Sequence, residues 1–457
     1  MRLLCPPGDI TQGVIWKQIL GFFFPLWLGT FFQQLYNTVD TVVVGRFVGK
    51  AALAAVGSTA VIVNLTVGIF TGLASGAVVS IAQHYGARRW QEVHHSVHTA
   101  MMVAILAGGL FMTAGFLLTP WILSAMHTTP EAMSGAVLYL RIYFLGMIPN
   151  VIYNMGTGIL RAVGDSRRPL YFLIAASLCN IVLDLVLVLG FHLGVAGVAI
   201  ATVCSQLLSA VLVLLCLTHA HGAPFQLFLR ELSLRRQPFL DEMRIGLPTA
   251  LQSVMYNISN IVIQASINGF GTDAVAAWTA YGKVDVIFWM TLSAMGQAVT
   301  TFAGQNYGAG KYDRLKKSVW TAMGMTAGFA VTLSLIMYLL AKPILAFFTP
   351  DSSVLEVGVP MMRFLVPVYI TYIPVELLSG AIRGAGRSLV PMLISVFGVC
   401  GLRLLWLFLM VPLYHTIPTV LASYPITWVL TSCCMFLYYR FGHWLHHQPL
   451  PAPAEAL

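Results

Sequence analysis

Gln33, Asn37 and Asp40 sit at i, i+4 and i+7 inside the otherwise apolar stretch QQLYNTVDTVVVGRFVG. That spacing lines them along one face of a helix. A carboxylate at mid-membrane depth costs about 2.5–3.5 kcal/mol on insertion scales, so intramembrane acids are rare and face a bundle interior or a wet cavity. The plainer alternative is a structural Asp satisfied by its Gln and Asn neighbours. Asn180 and Asp184 repeat the pattern at i, i+4 in NIVLDLVLV, projecting from one face about one turn apart. Facing Asp40, they would form an oxygen cage for a hard cation such as Na⁺, or a carboxylate pair holding a proton. Two close carboxylates do not both ionise cheaply in low dielectric, so such a pair titrates jointly. Thr202 would add a hydroxyl, unless it is spent on a carbonyl of its own helix. Two more acids lie in apolar surroundings: Asp285, two residues from Lys283, and Glu376. At i, i+2 the Lys and Asp do not face each other. Glu376 is a candidate contact for a cationic substrate, or else a partner for Arg363 or Arg403.

The elements that carry these residues follow from composition. The 457 residues are 58% hydrophobic and 9% charged, with mean hydropathy +0.81, whereas soluble domains carry about 25% charged residues. The chain is an integral membrane protein, and apolar runs long enough to span the hydrocarbon core can be marked twelve times. The net charge of +9 does not point to nucleic acid, because the cations fall in short loops. Alternate loops and the termini hold 18 Lys and Arg against 3 on the opposite side; the positive-inside rule then places both termini in the cytoplasm, with the chain in the inner (plasma) membrane. Six cysteines lie inside apolar segments with no CxxC pair, and no GxxxxGK[ST], HExxH or GxSxG motif occurs. The chain is therefore not expected to be an enzyme or to carry a cofactor. His94, His95 and His98, like His443, His446 and His447, read as interfacial rather than metal-ligating.

The chain repeats itself at an offset of 222 residues. AQHYGA from Ala82 answers GQNYGA from Gly304, SVHTAM from Ser96 answers SVWTAM from Ser318, and Gly158, Arg161, Gly164, Ser166 and Pro169 answer Gly380, Arg383, Gly386, Ser388 and Pro391. Three blocks in one register mean a duplicated six-span unit. An even number of spans makes the copies parallel, so the expected fold is all-α: twelve transmembrane helices in two six-helix bundles, related by a pseudo-twofold axis along the membrane normal. The boundaries read as an N-lobe over 1–218, a cytoplasmic linker over 219–242, a C-lobe over 243–440 and a cytoplasmic tail over 441–457. Phe225 to Arg230 in the linker reads as an interfacial helix or a solvated strand of chain. Pro25 and Pro248 are expected to kink spans one and seven, and Pro149, Pro367 and Pro374 to bend spans four and ten. The polar set exists in one copy only. Asp40 aligns with Val262 or Ile263, Asn180 with Leu402, Asp184 with Trp406 and Thr202 with Tyr424. Residues kept for the fold alone would tend to recur in both copies, so the asymmetry favours function.

QQLYNTVDTVVVGRFVGKAALAAVG, ILRAVGDSRRP, NIVLD and GQNYGAGK, in that order through both halves, resemble the multidrug and toxic compound extrusion (MATE) family, with a likeness running from about Lys17 to Arg440. The resemblance implies a two-lobed, monomeric antiporter that expels small amphipathic, cationic compounds in exchange for Na⁺ or H⁺. It also implies that Asp40, Asn180, Asp184 and Thr202 are the coupling-ion ligands, Na⁺ being the candidate metal, with Gln33, Asn37, Asp285 and Glu376 as substrate contacts. A different branch of that family pairs acids on the seventh and tenth helices. The seventh apolar run here, LPTALQSVMYNISNIVIQASI, has none, which leaves Glu376 alone. Two other readings compete: a lipid-linked oligosaccharide flippase, which would want a cationic cavity, and a non-transporting receptor or scaffold, which has no need of buried acids in one repeat.

Overall fold

The computed structural model describes residues 10–445, and every regular element among the described residues is a helix. Ten helices are long and apolar enough to cross a membrane: α1 (Ile15–Val48), α2 (Lys50–Gly86), α3 (Trp90–Ala125), α5 (Arg167–Gly190), α6 (Gly194–Thr218), α8 (Thr272–Gly308), α9 (Tyr312–Leu339), α10 (Ser352–Gly384), α11 (Leu389–Met410) and α12 (Ile417–Phe441). An eleventh span, α4, is bent by 50° between Pro130–Leu145 and Met147–Ala162. The twelfth is α7 (Arg236–Asn268), whose 33 residues include Arg236, Asp241, Glu242 and Arg244 in its first turns. Those charges, together with Gln252, Asn257, Asn260, Gln264 and Asn268 along its length, make it less apolar than the rest. They also correct the boundary of the seventh helix: it begins well before Leu247 and does carry acids, which the loop-like composition of 236–244 had concealed.

By their contacts the described residues form two compact units, Gly21–Leu247 and Ile10–Leu20 with the chain from Pro248 onward. Each unit therefore contains the greater part of six spans, while the first turn of α1 groups with the C-terminal unit and the first turns of α7 with the N-terminal one. The N-terminal core is packed by Phe70 and Ala77 of α2, Met101 of α3, Leu140 and Met155 of α4 and Val213 of α6. Close approach within it depends on glycine: a Cβ on Gly76 of α2 would lie 2.1 Å from the Glu242 carbonyl oxygen of α7. In the C-terminal unit Trp428, Tyr369, Phe288 and Phe302 are fully buried, and Phe288 stacks on Tyr369 with centroids 4.1 Å apart. Leu117, Trp121 and Phe408 instead point outward, as expected where hydrocarbon rather than water is the solvent.

Pro25 and Pro248 both lie inside uninterrupted helices; the sharp break in the N-terminal unit falls at Gly146, whose Cβ would meet Val203 Cγ2 at 2.8 Å. In α10 the prolines do mark a change of winding, Pro367 standing in the tighter 3₁₀ stretch Val366–Thr371 and Pro374 just after it. Phe225 to Arg230 do not form the continuous interfacial helix expected of them, and Phe228, Leu229 and Arg230 are exposed. Phe225 and Leu227 are buried in the N-terminal core, and only Leu229–Glu231 forms a single 3₁₀ turn. Two α3 side chains hold this segment: the Phe228 N–H donates to His98 Nε2 at 3.0 Å, and Thr99 Oγ1 donates to the Ser233 carbonyl at 3.3 Å. His446 and His447 lie outside the described residues.

Candidate functional site

Asp184 closes a regular stretch of helix, and Asp40 stands three residues before the end of another. Immediately beyond these stretches the winding widens, into a π-helical segment at Val44–Val48 in α1 and another at Leu185–Gly190 in α5, and these two segments pack on one another. Such segments release carbonyls from the regular ladder and are frequent at functional sites. The four proposed ligands are all buried: Asp40 is 9% exposed, Asn180 1%, Asp184 0% and Thr202 6%. Asp40 and Asp184 come within hydrogen-bonding reach of each other. No N–H or O–H of the described residues reaches Asp40 Oδ1, either oxygen of Asp184, or the Asn180 amide, whose nitrogen and oxygen are both without a partner. The only hydrogen able to join the two carboxyls is one of their own. Two carboxyls and an amide with no protein partner in reach suit a shared proton or a hard cation, which takes oxygen ligands. The residues present therefore fit either occupant.

Thr202 is placed differently. Its hydroxyl donates to the Val198 carbonyl at 3.0 Å, the local bond that a Thr in an apolar helix commonly makes, and its oxygen faces Tyr139. Tyr139 of α4 neighbours Asp40 and Asp184 as well, and Tyr36 of α1 neighbours Asp40. Neither tyrosine was singled out from the sequence, yet the test applied to the acids would have found them. At the same offset Tyr139 answers Met361 and Tyr36 answers Ile258. Gln33 is half-buried and bonds Tyr36 rather than Asp40. Asn37 is exposed, its carbonyl accepting from Thr41 Oγ1 at 2.9 Å. The neighbours invoked to satisfy Asp40 as a structural residue thus do not do so.

The corresponding place in the C-terminal unit is apolar. Ile263, Ile267, Leu407 and Val420 are buried together there, with Val262, Trp406 and Tyr424 packed against them. These include the repeat partners of Asp40, Asp184 and Thr202. The acids of this unit sit elsewhere: Asp285 Oδ1 accepts from Tyr369 Oη at 2.5 Å and Tyr281 Oη at 3.2 Å, and Oδ2 from Trp289 Nε1 at 2.7 Å. Lys283 takes no part. Glu376 has Arg383 4.0 Å away, not Arg363, which donates to the Tyr338 carbonyl at 3.3 Å, nor Arg403, which lies 4.3 Å over the Tyr424 ring.

A second group of possible ligands, His94, His98 and Glu231, has its donor atoms within 4.8 Å of one another. It is already spent. His98 Nδ1 bonds the His94 carbonyl at 2.7 Å while Nε2 accepts from Phe228 N–H, leaving no lone pair for a metal, and His94 Nε2 is 2.9 Å from Glu231.

The family model MatE matches residues 25–186 and again 248–409, one copy over each half of the duplicated chain. The chain belongs to the MatE family. Among its MatE relatives, the probable multidrug resistance proteins YoeA and YpnP of Bacillus subtilis are 28% and 26% identical; the alignments cover 93% and 95% of this chain and 94% and 97% of those proteins. The MatE fold is shared with the solved structure of a MOP superfamily transporter from Pyrococcus furiosus, at a TM-score of 0.89 and 22% identity, covering 95% of this chain and 97% of that one. This MatE protein is a multi-pass membrane protein of a transporter family.

Proposed function

We propose that the chain is a secondary active exporter of small, amphipathic, cationic compounds, and that it couples their efflux to entry of Na⁺ or H⁺ at Asp40, Asn180, Asp184 and Thr202. The observation that carries this reading is the contrast between the two copies. The duplicated fold stands without acids at the corresponding place in its C-terminal unit, so the donorless carboxyls in the N-terminal unit are not needed to build it. An uncompensated polar set retained at such cost is best accounted for by a ligand that comes and goes. The names of the Bacillus relatives, probable multidrug resistance proteins, support efflux of drug-like compounds. Gln33, Asn37, Glu376 and Asp285 are assigned to the substrate; Asp285, half-exposed and ringed by Tyr281, Tyr369 and Trp289, combines charge and π-faces suited to an organic cation.

The test is efflux from proteoliposomes under an imposed Na⁺ or pH gradient. Asp40→Asn keeps the size and hydrogen-bonding capacity of the side chain and removes its charge. Gradient-driven export should fall to background, whereas equilibrium binding of a cationic compound in detergent should change by less than about threefold, roughly 0.7 kcal/mol. Normal export by this variant at matched expression would overturn the assignment.

A further inference from the structure

Four cations gather where three membrane-spanning segments meet. Residues 10–14 lead into α1, α8 ends at Gly308 and α9 begins at Tyr312. Between them lies a cleft of about 910 Å³ whose lining includes Lys311, Arg314, Lys316 and Lys317, with Asp313 the single acid among its lining residues. Two of the cations are fixed in place. Lys311 Nζ donates to the Thr11 carbonyl at 2.8 Å, and Arg314 donates to the carbonyls of Gly13 at 2.8 Å and Gln12 at 3.0 Å and to Gln18 Oε1 at 2.7 Å. Those acceptors are neutral oxygens that orient the two side chains. Lys316 and Lys317 are exposed on the first turns of α9, and their ammonium groups have no hydrogen bond or ion pair among the described residues.

The cleft is also built for a boundary rather than for water alone. α9 is a 28-residue apolar span, so its first turn lies at the membrane surface. Trp16 and Trp320 are half-exposed at the starts of α1 and α9, at the level where tryptophans anchor helices among headgroups. Ile15, Tyr312 and Leu445 give the cationic cleft an apolar rim. A free inorganic anion has no use for that rim, whereas a phospholipid presents phosphate and acyl chain together.

From this arrangement we infer that the cleft binds the headgroup of an anionic phospholipid, with Lys316 and Lys317 as its adjustable charge contacts beside the fixed Lys311 and Arg314. A lysine at an anionic membrane surface contributes about fivefold in affinity, so the two together contribute roughly thirtyfold.

The experiment uses the full chain in neutral detergent, with phosphatidylglycerol or phosphatidylcholine titrated in and bound lipid counted by native mass spectrometry. Wild type should retain phosphatidylglycerol in preference to phosphatidylcholine. Lys316→Gln with Lys317→Gln should weaken phosphatidylglycerol roughly thirtyfold and leave phosphatidylcholine unchanged, while Lys342→Gln, at the far end of α9, should change neither. Both cleft lysines are exposed, and an unchanged melting temperature would confirm that the fold is intact. Equal retention of phosphatidylglycerol by wild type and the double variant would overturn the site. Displacement of the lipid by millimolar inorganic phosphate or glycerol 3-phosphate would overturn the lipid as its ligand in favour of a free anion. Lipid counting needs no transport, so either result stands apart from the ion-coupling reading.

Discussion

Asp40 and Asp184 are unusual for what surrounds them as much as for where they lie. An acid in a membrane bundle is ordinarily rescued by a cation or by hydroxyl and amide donors, as Asp285 is rescued by Tyr281, Tyr369 and Trp289. Among the described residues no donor reaches Asp40 Oδ1 or either oxygen of Asp184, and the hydroxyl of Thr202 gives its hydrogen to Val198. Two carboxyls that share one occupant should behave as one site. Removing either charge destroys the set, so a second removal has nothing left to take. Cation affinity or proton release, followed by titration calorimetry, is expected to be lost equally in Asp40→Asn, Asp184→Asn and the double variant. Losses that add in free energy would mean two independent sites.

At the scale of elements, the N-terminal unit is held by contacts that hydropathy does not report. The first turns of α7 are charged, yet they are drawn into this unit because Gly76 of α2 and Gly246 of α7 let the two backbones approach closely; a Cβ at Gly76 would also lie 2.8 Å from the Gly246 nitrogen. Both atoms it meets are backbone, which cannot swing aside. Gly76→Ala should therefore destabilise the protein by about 1–3 kcal/mol, the range for overpacking, and lower its melting temperature in detergent. A melting temperature within a degree of wild type would show that the helices separate freely there. The same unit fixes residues 219–235 through His98, whose two ring nitrogens are both engaged, one with its own helix and one with the Phe228 amide. A histidine cluster with metal-like spacing is in this case a clasp for a connecting segment.

For the whole molecule, the 18 to 3 split of cations between alternate loops is expected to set the orientation, because insertion reads that bias. Reporter fusions after Arg168 and Lys317 are expected to read cytoplasmic, and fusions near Thr128 or Thr416 external. An external signal after Arg168 would break the alternation of the first four spans. The architecture was legible in the sequence because a membrane leaves few choices. Hydrocarbon forces every backbone group into a helix, each helix must be about as long as the bilayer is thick, and a duplication at an offset of 222 residues must then give two like-sided bundles. The candidate ligands were legible for a related reason, since a costly side chain stands out in an apolar background and stands out more when its repeat partner is Ile, Trp or Tyr. The polar spacing did not reveal which groups surround Asp40. Gln33 and Asn37 share its helix face by periodicity, yet the structure gives that role to Tyr139 and Asp184, because neighbours across a bundle are set by how helices pack and not by spacing along one of them. The start of α7 was hidden likewise: hydropathy averages a segment as though its surroundings were uniform, and only the tertiary structure decided that a charged turn is buried in one unit while the rest of its helix belongs to the other.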